Sequence, residues 1–183
     1  MRNIKIVSIY SGCGGIDIGF EEAGFNTVFA TDIWNVACKT FLKNFEKTEV
    51  RCDNIVNINF KKIRNKHKKI NGLIGGPPCP PFSKSRFYLK EKNRGLNDNE
   101  GFITITNYMR AVNELKPDFF LFENVHGFIY KPHSSALKLL EQESDKLGYK
   151  LKYKVLNAAN YGIPQKRKRF ICIGVLKDLN DFN

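Results

Sequence analysis

Residues 4–19, with the sequence IKIVSIYSGCGGIDIG, decide the fold of this chain. The apolar run at residues 4–10 predicts a buried β-strand, and glycines separate it from a helical pattern that begins at Ile16. A strand, a glycine-rich turn and a helix start are the arrangement with which α/β sheets bind nucleotide-like cofactors. A tight turn alone would also explain the glycines, so a function needs further signals along the chain.

Apolar runs and helical patterns alternate through the rest of the chain, which indicates an α/β protein. In the helix predicted at 36–45, we expect Val36, Phe41 and Phe45 on the buried face. Seven strands and about five helices predict a doubly wound, mostly parallel sheet in a single domain, residues 1–183. Beyond residues 4–10, the predicted strands are 27–30, 49–52, 72–75, 119–122, 151–156 and 169–175, and the predicted helices are 16–23, 36–45, 102–115 and 134–147.

The chain is strongly basic, with 30 Lys and Arg against 18 Asp and Glu and a formal net charge of +12. Such a surplus favours a polyanionic partner such as nucleic acid, although a lysine-rich codon bias would also produce it. The basic run at residues 60–69 is more typical of a solvated helix face than of a binding patch. Residues 84–100 form a long polar stretch, which we expect to be a mobile basic loop that closes on a polyanion.

The cysteine pattern and the hydropathy predict a soluble, cytoplasmic protein. The five cysteines include no CxxC pair, and an odd number cannot all pair within the chain, so free thiols are expected. No apolar run approaches the ~20 residues of a membrane span. The first residues become polar too early for a signal peptide. The sequence shows no metal-ligand cluster, and no metal is predicted.

An acidic residue, Asp32, lies at the C-terminal end of the second predicted strand, in the sequence Ala30-Thr31-Asp32. A carboxylate at this place can accept hydrogen bonds from both hydroxyls of a ribose, and Ile33 or Trp34 beside it can cover an adenine face. The glycine-rich turn and this acid together favour a nucleoside-type cofactor.

One cysteine lies among prolines in residues 75–83, GGPPCPPFS, directly after the predicted strand 72–75. The prolines stiffen the backbone around Cys79, and doubly wound sheets place their sites at the C-terminal ends of strands. A structural cysteine is more typical of an apolar run, as at Cys172. The pattern therefore indicates Cys79 as a candidate nucleophile.

Two further segments carry charged side chains at strand ends. Glu123 and Asn124 follow the apolar residues 119–122, where a carboxylate can act as an acid or hydrogen-bond a base, or can simply cap a turn. Arg167 and Arg169 alternate as the last strand begins, so both face one side and can hold a base oxygen or a phosphate. A solvated turn remains the alternative for this basic cluster.

Together these segments resemble the DNA cytosine-5 methyltransferase family, in order, from residue 4 to about residue 175. The resemblance implies the Rossmann-like fold of S-adenosylmethionine-dependent methyltransferases, duplex DNA as substrate, and a restriction–modification system as the expected setting. The residues that match the family's cofactor site, with an uncertainty of one residue in the register at 53–55, are Tyr10, Ser11, Gly12, Cys13, Gly14, Gly15, Ile16, Asp32, Ile33, Asp53, Asn54, Ile55 and Pro78.

The same resemblance implies a covalent mechanism. The target cytosine is flipped out, Cys79 attacks C6, Glu123 binds N3 and the exocyclic amine, and Arg167 or Arg169 holds O2. C5 then takes the methyl group, a base removes the C5 proton, and Cys79 leaves. Asn124 belongs to the matching catalytic motif. The residues implied in DNA contact are Ser83, Lys84, Arg86 and Gln165.

Two departures from the family are visible. Pro80 stands where Gln is commoner, which affects loop contacts or specificity more than chemistry. A target-recognition domain and a last cofactor motif normally follow in the family, and the sequence ends at Asn183 without them. A second polypeptide, a deliberately shortened chain and a truncated gene are the three explanations. A tRNA methyltransferase and a non-enzymatic nucleic-acid-binding module remain alternatives to a DNA methyltransferase.

Overall fold

The computed structural model describes residues 4–78, 99–130 and 134–179. The strands are β1 Ile4–Ile9, β2 Phe25–Asp32, β3 Glu49–Cys52, β4 Gly72–Gly75, β5 Phe119–Val125, β6 Tyr149–Asn157 and β7 Lys168–Leu176. The helices are α1 Gly15–Glu22, α2 Asn35–Asn44, α3 Phe60–His67, α4 Asn99–Leu115 and α5 Ser134–Lys146.

The strands form one seven-stranded sheet in the order β3-β2-β1-β4-β5-β7-β6. β1 pairs in parallel with β2 and with β4, and β2 pairs in parallel with β3. β6 and β7 are antiparallel and form one end of the sheet order. The doubly wound, mostly parallel α/β fold predicted from the sequence is therefore confirmed.

The chain divides into two compact units, of which the first comprises residues 1–76 and 110–121. Its core includes an aromatic cluster in which Phe25 lies 5.0 Å from Phe20 and 5.8 Å from Phe119, between ring centroids. Gly72 makes room for this cluster, because a Cβ there would lie 2.4 Å from Cζ of Phe119. Close aromatic packing thus fixes the α1 side of this unit.

The second unit comprises residues 77–109 and 122–183. A row of fully buried rings runs through it, with centroid distances of 5.0 Å from Tyr108 to Phe122, 5.3 Å from Phe122 to Phe128 and 5.0 Å from Phe128 to Phe170. Since Phe122 lies on β5 and Phe170 on β7, this row sets the strand ends that carry Glu123 and Arg169.

The structure corrects one expectation about α2. Phe41 and Phe45 are buried, with exposures of 0% and 5%, but Val36 is 78% exposed. At 3.6 residues per turn, Val36 lies about 140° around the helix from Phe41. Ala37 and Cys38 occupy the buried face instead.

Two other segments take the form of helices. The basic run forms α3, which buries Phe60 and Ile63 and leaves its lysines exposed. α4 begins at Asn99, so the last two residues of the loop predicted at 84–100 are helical, and residues 84–98 lie outside the described residues. Among the residues that the structure describes, no helix has the length and apolar character needed to cross a bilayer.

Candidate functional site

The glycine-rich turn after β1 has an unusual backbone. Tyr10, Gly12 and Gly14 have positive φ angles of 52°, 53° and 90°. This left-handed backbone suits glycine but is strained at Tyr10, where β1 ends. The turn is closed by a hydrogen bond from the Gly14 amide to the Ser11 carbonyl, at 3.0 Å, and tied to β2 by one from the Ser11 amide to the Thr31 carbonyl, at 3.1 Å.

Asp32, the last residue of β2, supports this turn. Its Oδ2 accepts a hydrogen bond from the Gly12 amide at 2.8 Å, and its Oδ1 accepts one from the Trp34 amide at 3.0 Å. Each carboxylate oxygen can accept more than one hydrogen bond, so acceptor capacity remains for two ligand hydroxyls. The acid predicted to bind ribose is thus joined to the glycine-rich turn.

The segment after β3 joins the same group. The Asp53 amide donates to the Asp32 carbonyl at 3.0 Å. Oδ1 of Asp53 accepts from the Asn54 amide at 2.6 Å and from Nδ2 of Asn57 at 2.7 Å, and Oδ1 of Asn54 accepts from the Val56 amide at 3.1 Å. The structure therefore brings together the glycine-rich turn, residues 32–33 and residues 53–55 in the first unit.

Several features of this group suit a nucleoside-type ligand. Oγ of Ser11 is buried and has no hydrogen-bond partner among the described residues. Ile33 and Trp34 are 61% and 74% exposed, so two adjacent large apolar side chains offer surface beside the turn. A Cβ at Gly12 or Gly15 would meet nothing within 4 Å, so there is open space beside the turn. Cys13 is exposed and Ile16 half-buried.

The second unit contains a partly buried acid–base pair. Oε1 of Glu123 lies 2.8 Å from Nε of Arg169, with side-chain exposures of 24% and 25%. Burial raises the pKa of Glu123 above its ordinary value, and the charges of Arg169 and Arg167 oppose that rise without cancelling it. A carboxyl group in this setting can bind a proton more readily than an exposed one, which suits proton donation to a base.

The two arginines differ in their contacts. Nη1 of Arg169 also donates to the Lys168 carbonyl at 3.0 Å, and its guanidinium is held by Glu123. The side chain of Arg167 is exposed, and its amide donates to Oδ1 of Asn157 at 3.0 Å. The charge of Arg167 also lowers the pKa of Glu123, although less than that of Arg169 does.

Asn124 is placed differently from its neighbour. It is 1% exposed, and its Nδ2 donates to the Pro77 carbonyl at 3.3 Å while its Oδ1 accepts from the Val125 amide at 2.9 Å. Its amide therefore holds the backbone that leads towards Cys79 and does not face solvent. Pro78 and Gln165 are exposed. The remaining predicted positions, Cys79, Pro80, Ser83, Lys84 and Arg86, lie outside the described residues.

The model of the family described as "C-5 cytosine-specific DNA methylase" matches residues 4–183. The chain belongs to this family. M.MthTI, a type II methyltransferase of Methanothermobacter thermautotrophicus, is 41% identical over 182 residues, which are 97% of this chain and 51% of that protein. M.FnuDI of Fusobacterium nucleatum is 35% identical, over 98% of this chain and 49% of that protein. The chain thus spans about half the length of the relatives that it matches.

Solved structures agree with the family. A prophage-encoded protein of E. coli, assigned as a DNA modification methyltransferase, superposes with a TM-score of 0.83 at 28% identity, over 99% of this chain and 49% of that one. Spodoptera frugiperda DNMT2 superposes with a TM-score of 0.77 at 26% identity, over 99% and 52%. The chain therefore has the Rossmann-like fold of these methyltransferases.

Sequence reasoning missed two buried or half-buried charged residues that hold the first unit together. Asp17 on α1 is fully buried and accepts from Oγ of Ser8 at 2.9 Å and Oγ1 of Thr27 at 3.1 Å. Arg110 on α4 donates to the carbonyls of Ile55 and Ile58. Asp17 falls next to the glycine-rich turn in the sequence, but its burial has no local signal. Arg110 is 55 residues from Ile55, so only the folded chain reveals the contact.

Proposed function

We propose that this chain carries the catalytic and cofactor-binding part of a DNA (cytosine-5-)-methyltransferase that acts within a restriction–modification system in the cytoplasm. The pairing of Glu123 with Arg169 at 2.8 Å carries this proposal, because a base needs both an acid at its ring nitrogen and a donor at its oxygen. The names of the relatives, type II methyltransferases, support the setting.

The first unit is proposed to hold S-adenosylmethionine. Asp32 would accept hydrogen bonds from the ribose hydroxyls while it continues to hold the Gly12 amide. Ile33 and Trp34 offer exposed apolar surface to the adenine, and the unpartnered Oγ of Ser11 offers a polar contact. When bound, the cofactor supplies an electrophilic methyl group, and its product is S-adenosylhomocysteine. No metal takes part in the proposed reaction.

The second unit is proposed to act on cytosine. Glu123, with its raised pKa, would donate a proton or hydrogen bond to N3 of a flipped base, and Arg169 or Arg167 would bind O2. Both contacts withdraw electrons from the ring and favour addition of the Cys79 thiolate at C6. The S–C6 bond forms as the C5–C6 π electrons move to C5, the nucleophile for the methyl group. Loss of the C5 proton to a base then expels the thiolate.

Asn124 is proposed to act as a positioning residue. Its hydrogen bond to the Pro77 carbonyl fixes the backbone two residues before Cys79. The prolines around Cys79 limit the freedom of the segment between them. A shift of the thiol by about 1 Å can cost on the order of 100-fold in rate, which gives this contact a catalytic consequence.

DNA sequence recognition is proposed to depend on further protein segments. The relatives are about twice as long as this chain, and base-specific readout requires contacts to base edges in a groove. Those segments belong either to the same polypeptide or to a second one. The single catalytic domain at residues 1–183 and the DNA contacts of Ser83, Lys84, Arg86 and Gln165 remain predictions.

A trapping experiment tests the proposed function. The protein that carries this chain is mixed with S-adenosylmethionine and duplex DNA containing 5-fluorocytosine, which blocks release after methyl transfer. A covalent band on a denaturing gel, absent from Cys79→Ser and present in Cys172→Ser, supports the mechanism. The Cys172 control removes a buried structural thiol. A band with 5-fluorocytosine tRNA alone would favour an RNA substrate, and DNA binding without any band would favour a non-enzymatic module.

A further inference from the structure

Arg110 binds two main-chain carbonyls of the segment that follows β3. Its Nη2 donates to the Ile55 carbonyl at 2.6 Å, and its Nη1 donates to the Ile58 carbonyl at 3.0 Å. Two donors of one planar group thus hold the first residue of the 3₁₀ turn Ile55–Asn57 and the residue that caps its C-terminal end. Guanidinium is suited to this task because its donors form a rigid fork.

The guanidinium is itself held in place. It stacks 5.1 Å above the ring of Phe60, which is fully buried, and Nη1 lies 3.4 Å from Oε1 of Glu114, one turn further along α4. The Arg110 side chain is 31% exposed and that of Glu114 is 18% exposed. The aromatic face and the acid restrict the rotamers of Arg110, so it can serve as a fixed support for the turn.

The supported turn leads back to the candidate cofactor site. Within it, the Asn57 amide donates to the Asn54 carbonyl at 2.9 Å and the Ile58 amide donates to the Ile55 carbonyl at 3.2 Å. Asp53 precedes the turn, and its amide donates a hydrogen bond to the Asp32 carbonyl at 3.0 Å. A continuous path of hydrogen bonds and covalent backbone therefore joins Arg110 to the acid proposed to bind ribose.

Arg110 also acts on Tyr10, at the start of the glycine-rich turn. Its charge lowers the pKa of Tyr10, against a larger rise caused by burial of the phenol. Tyr10 opens the glycine-rich turn with a strained, positive φ angle. Arg110 is thus near both segments that the proposed cofactor site needs, although it lies outside every motif recognised in the sequence.

We propose that Arg110 is a positioning residue for the cofactor site, and that it sets the Asp53–Ile55 segment against which the adenine binds. This inference rests on the proposed function. Arg110 does not touch the cofactor in this proposal. It fixes the main-chain carbonyls of the turn, and the Asp53–Ile55 segment contacts the cofactor. The consequence is an effect on cofactor affinity, with little effect on the chemical step at saturating cofactor.

Three variants test the proposal. Arg110→Met removes both donors and keeps the length and apolar contact of the side chain. Arg110→Lys keeps the charge but offers a single ammonium group, which cannot hold both carbonyls in the same fork. Arg64→Met is the matched control, because Arg64 is an exposed arginine on α3. Each protein is titrated with S-adenosylhomocysteine by calorimetry and examined by hydrogen exchange at the amides of residues 53–58.

We expect Arg110→Met to weaken S-adenosylhomocysteine binding about tenfold, from the ordinary contribution of a charged hydrogen bond, and to speed exchange at the Asn57 and Ile58 amides. Arg110→Lys should lie between Arg110→Met and the original protein in both readouts, and Arg64→Met should match the original protein. In Arg110→Met, the KM for S-adenosylmethionine should rise, while kcat should stay within about twofold of its original value.

Two results would overturn the inference. Unchanged exchange at residues 53–58 in Arg110→Met would show that the turn does not depend on Arg110. Faster exchange with unchanged cofactor affinity would show that the turn is supported but does not set the cofactor site. Failure of the original protein to bind S-adenosylhomocysteine at all would instead count against the proposed function, and the exchange data would still report on the turn.

Discussion

Oε1 of Glu123 and Nε of Arg169 lie 2.8 Å apart, which joins the end of β5 to the start of the antiparallel strand β7. The two residues are 46 positions apart in the sequence. The sequence predicts an acid or hydrogen-bonding group at Glu123 and a donor to a base oxygen or a phosphate at Arg169. Burial and the neighbouring arginines act in opposite directions on the pKa of Glu123, and burial is the larger effect. The pair therefore combines an acid that protonates readily with a fixed cation.

Replacing Glu123 tests whether this acid takes part in the reaction. We expect Glu123→Gln to lower the methyl-transfer rate about 10²–10³-fold, because an amide cannot deliver a proton to the base. The side chain is partly exposed, so the melting temperature should fall by only a few degrees. Radiolabelled methyl transfer to duplex DNA measures the rate, with the exposed Glu46→Gln as the matched control. A Glu123→Gln protein as active as the control would exclude the proposed acid.

The order and type of most elements could be predicted because their apolar residues repeat with the period of a strand or of a helix. β3 and β4 have the predicted bounds, and the other strands differ only at their ends. β1 stops at Ile9 because Tyr10 takes a left-handed backbone, which an apolar run does not reveal. The helix at 36–45 was predicted, but Val36 was assigned to the wrong face. The prediction followed its apolar side chain and neglected its angular position on the helix.

The sequence predicts candidate site residues where a motif and a strand end coincide. Asp32 and Glu123 could be predicted as candidates because each lies at or near the C-terminal end of a buried strand, where doubly wound sheets carry their sites. Asp17 and Arg110 were not found, because their roles depend on partners in distant segments. A buried Asp and a half-buried Arg look like surface residues in a helical pattern, so composition alone cannot distinguish them.

The buried carboxyl group of Asp17 predicts a specific pH dependence of stability. Burial raises the pKa of Asp17 from 3.8 to about 6, against its hydrogen bonds from Ser8 and Thr27. Because the folded state binds this proton more tightly than the unfolded state, the stabilisation is complete below pH 3.8 and is lost as the pH rises through about 6. The shift corresponds to about 3 kcal/mol, an order-of-magnitude figure.

Asp17→Asn removes this titration. We expect the difference in unfolding free energy, original minus variant, to fall by up to about 3 kcal/mol between pH 4 and pH 7 in urea melts. Asp178→Asn, at an exposed position, serves as the control and should show no such trend. A difference for Asp17→Asn that stays constant over this range would mean that the carboxyl group titrates alike in the folded and unfolded states.

We expect replacement of Asp32 to weaken cofactor binding more than it lowers the stability of the fold. An amide at this position has one carbonyl oxygen, so Asp32→Asn leaves either the Gly12 or the Trp34 amide without its acceptor. We expect S-adenosylhomocysteine affinity to fall about tenfold or more, from the loss of charged hydrogen bonds. Calorimetry measures it, with Asp145→Asn as a control at a carboxylate that pairs with Lys177 on the surface. Equal affinities for the two variants would remove Asp32 from the cofactor site.

Two glycines of α1, one at its N-terminal cap and one in its interior, should respond to alanine in opposite directions. Gly14 caps the helix with a φ of 90°, and a Cβ there would lie 2.4 Å from Cε2 of Phe45 and 3.1 Å from Cδ2 of Phe41. Both rings are buried, so neither can move freely, and Gly14→Ala should destabilise the protein by about 2 kcal/mol or more.

Gly19, within α1, has nothing within 4 Å of its Cβ position. Gly19→Ala should therefore stabilise the protein by about 0.5–1 kcal/mol, because alanine restricts the unfolded chain and suits a helix interior. Thermal melts of the two variants, followed by far-ultraviolet circular dichroism, check both directions. Destabilisation by Gly19→Ala would show that the outer face of α1 is covered in the protein. A neutral Gly14→Ala would show that Phe41 and Phe45 can repack, and that the glycine-rich turn tolerates a side chain at its helix cap.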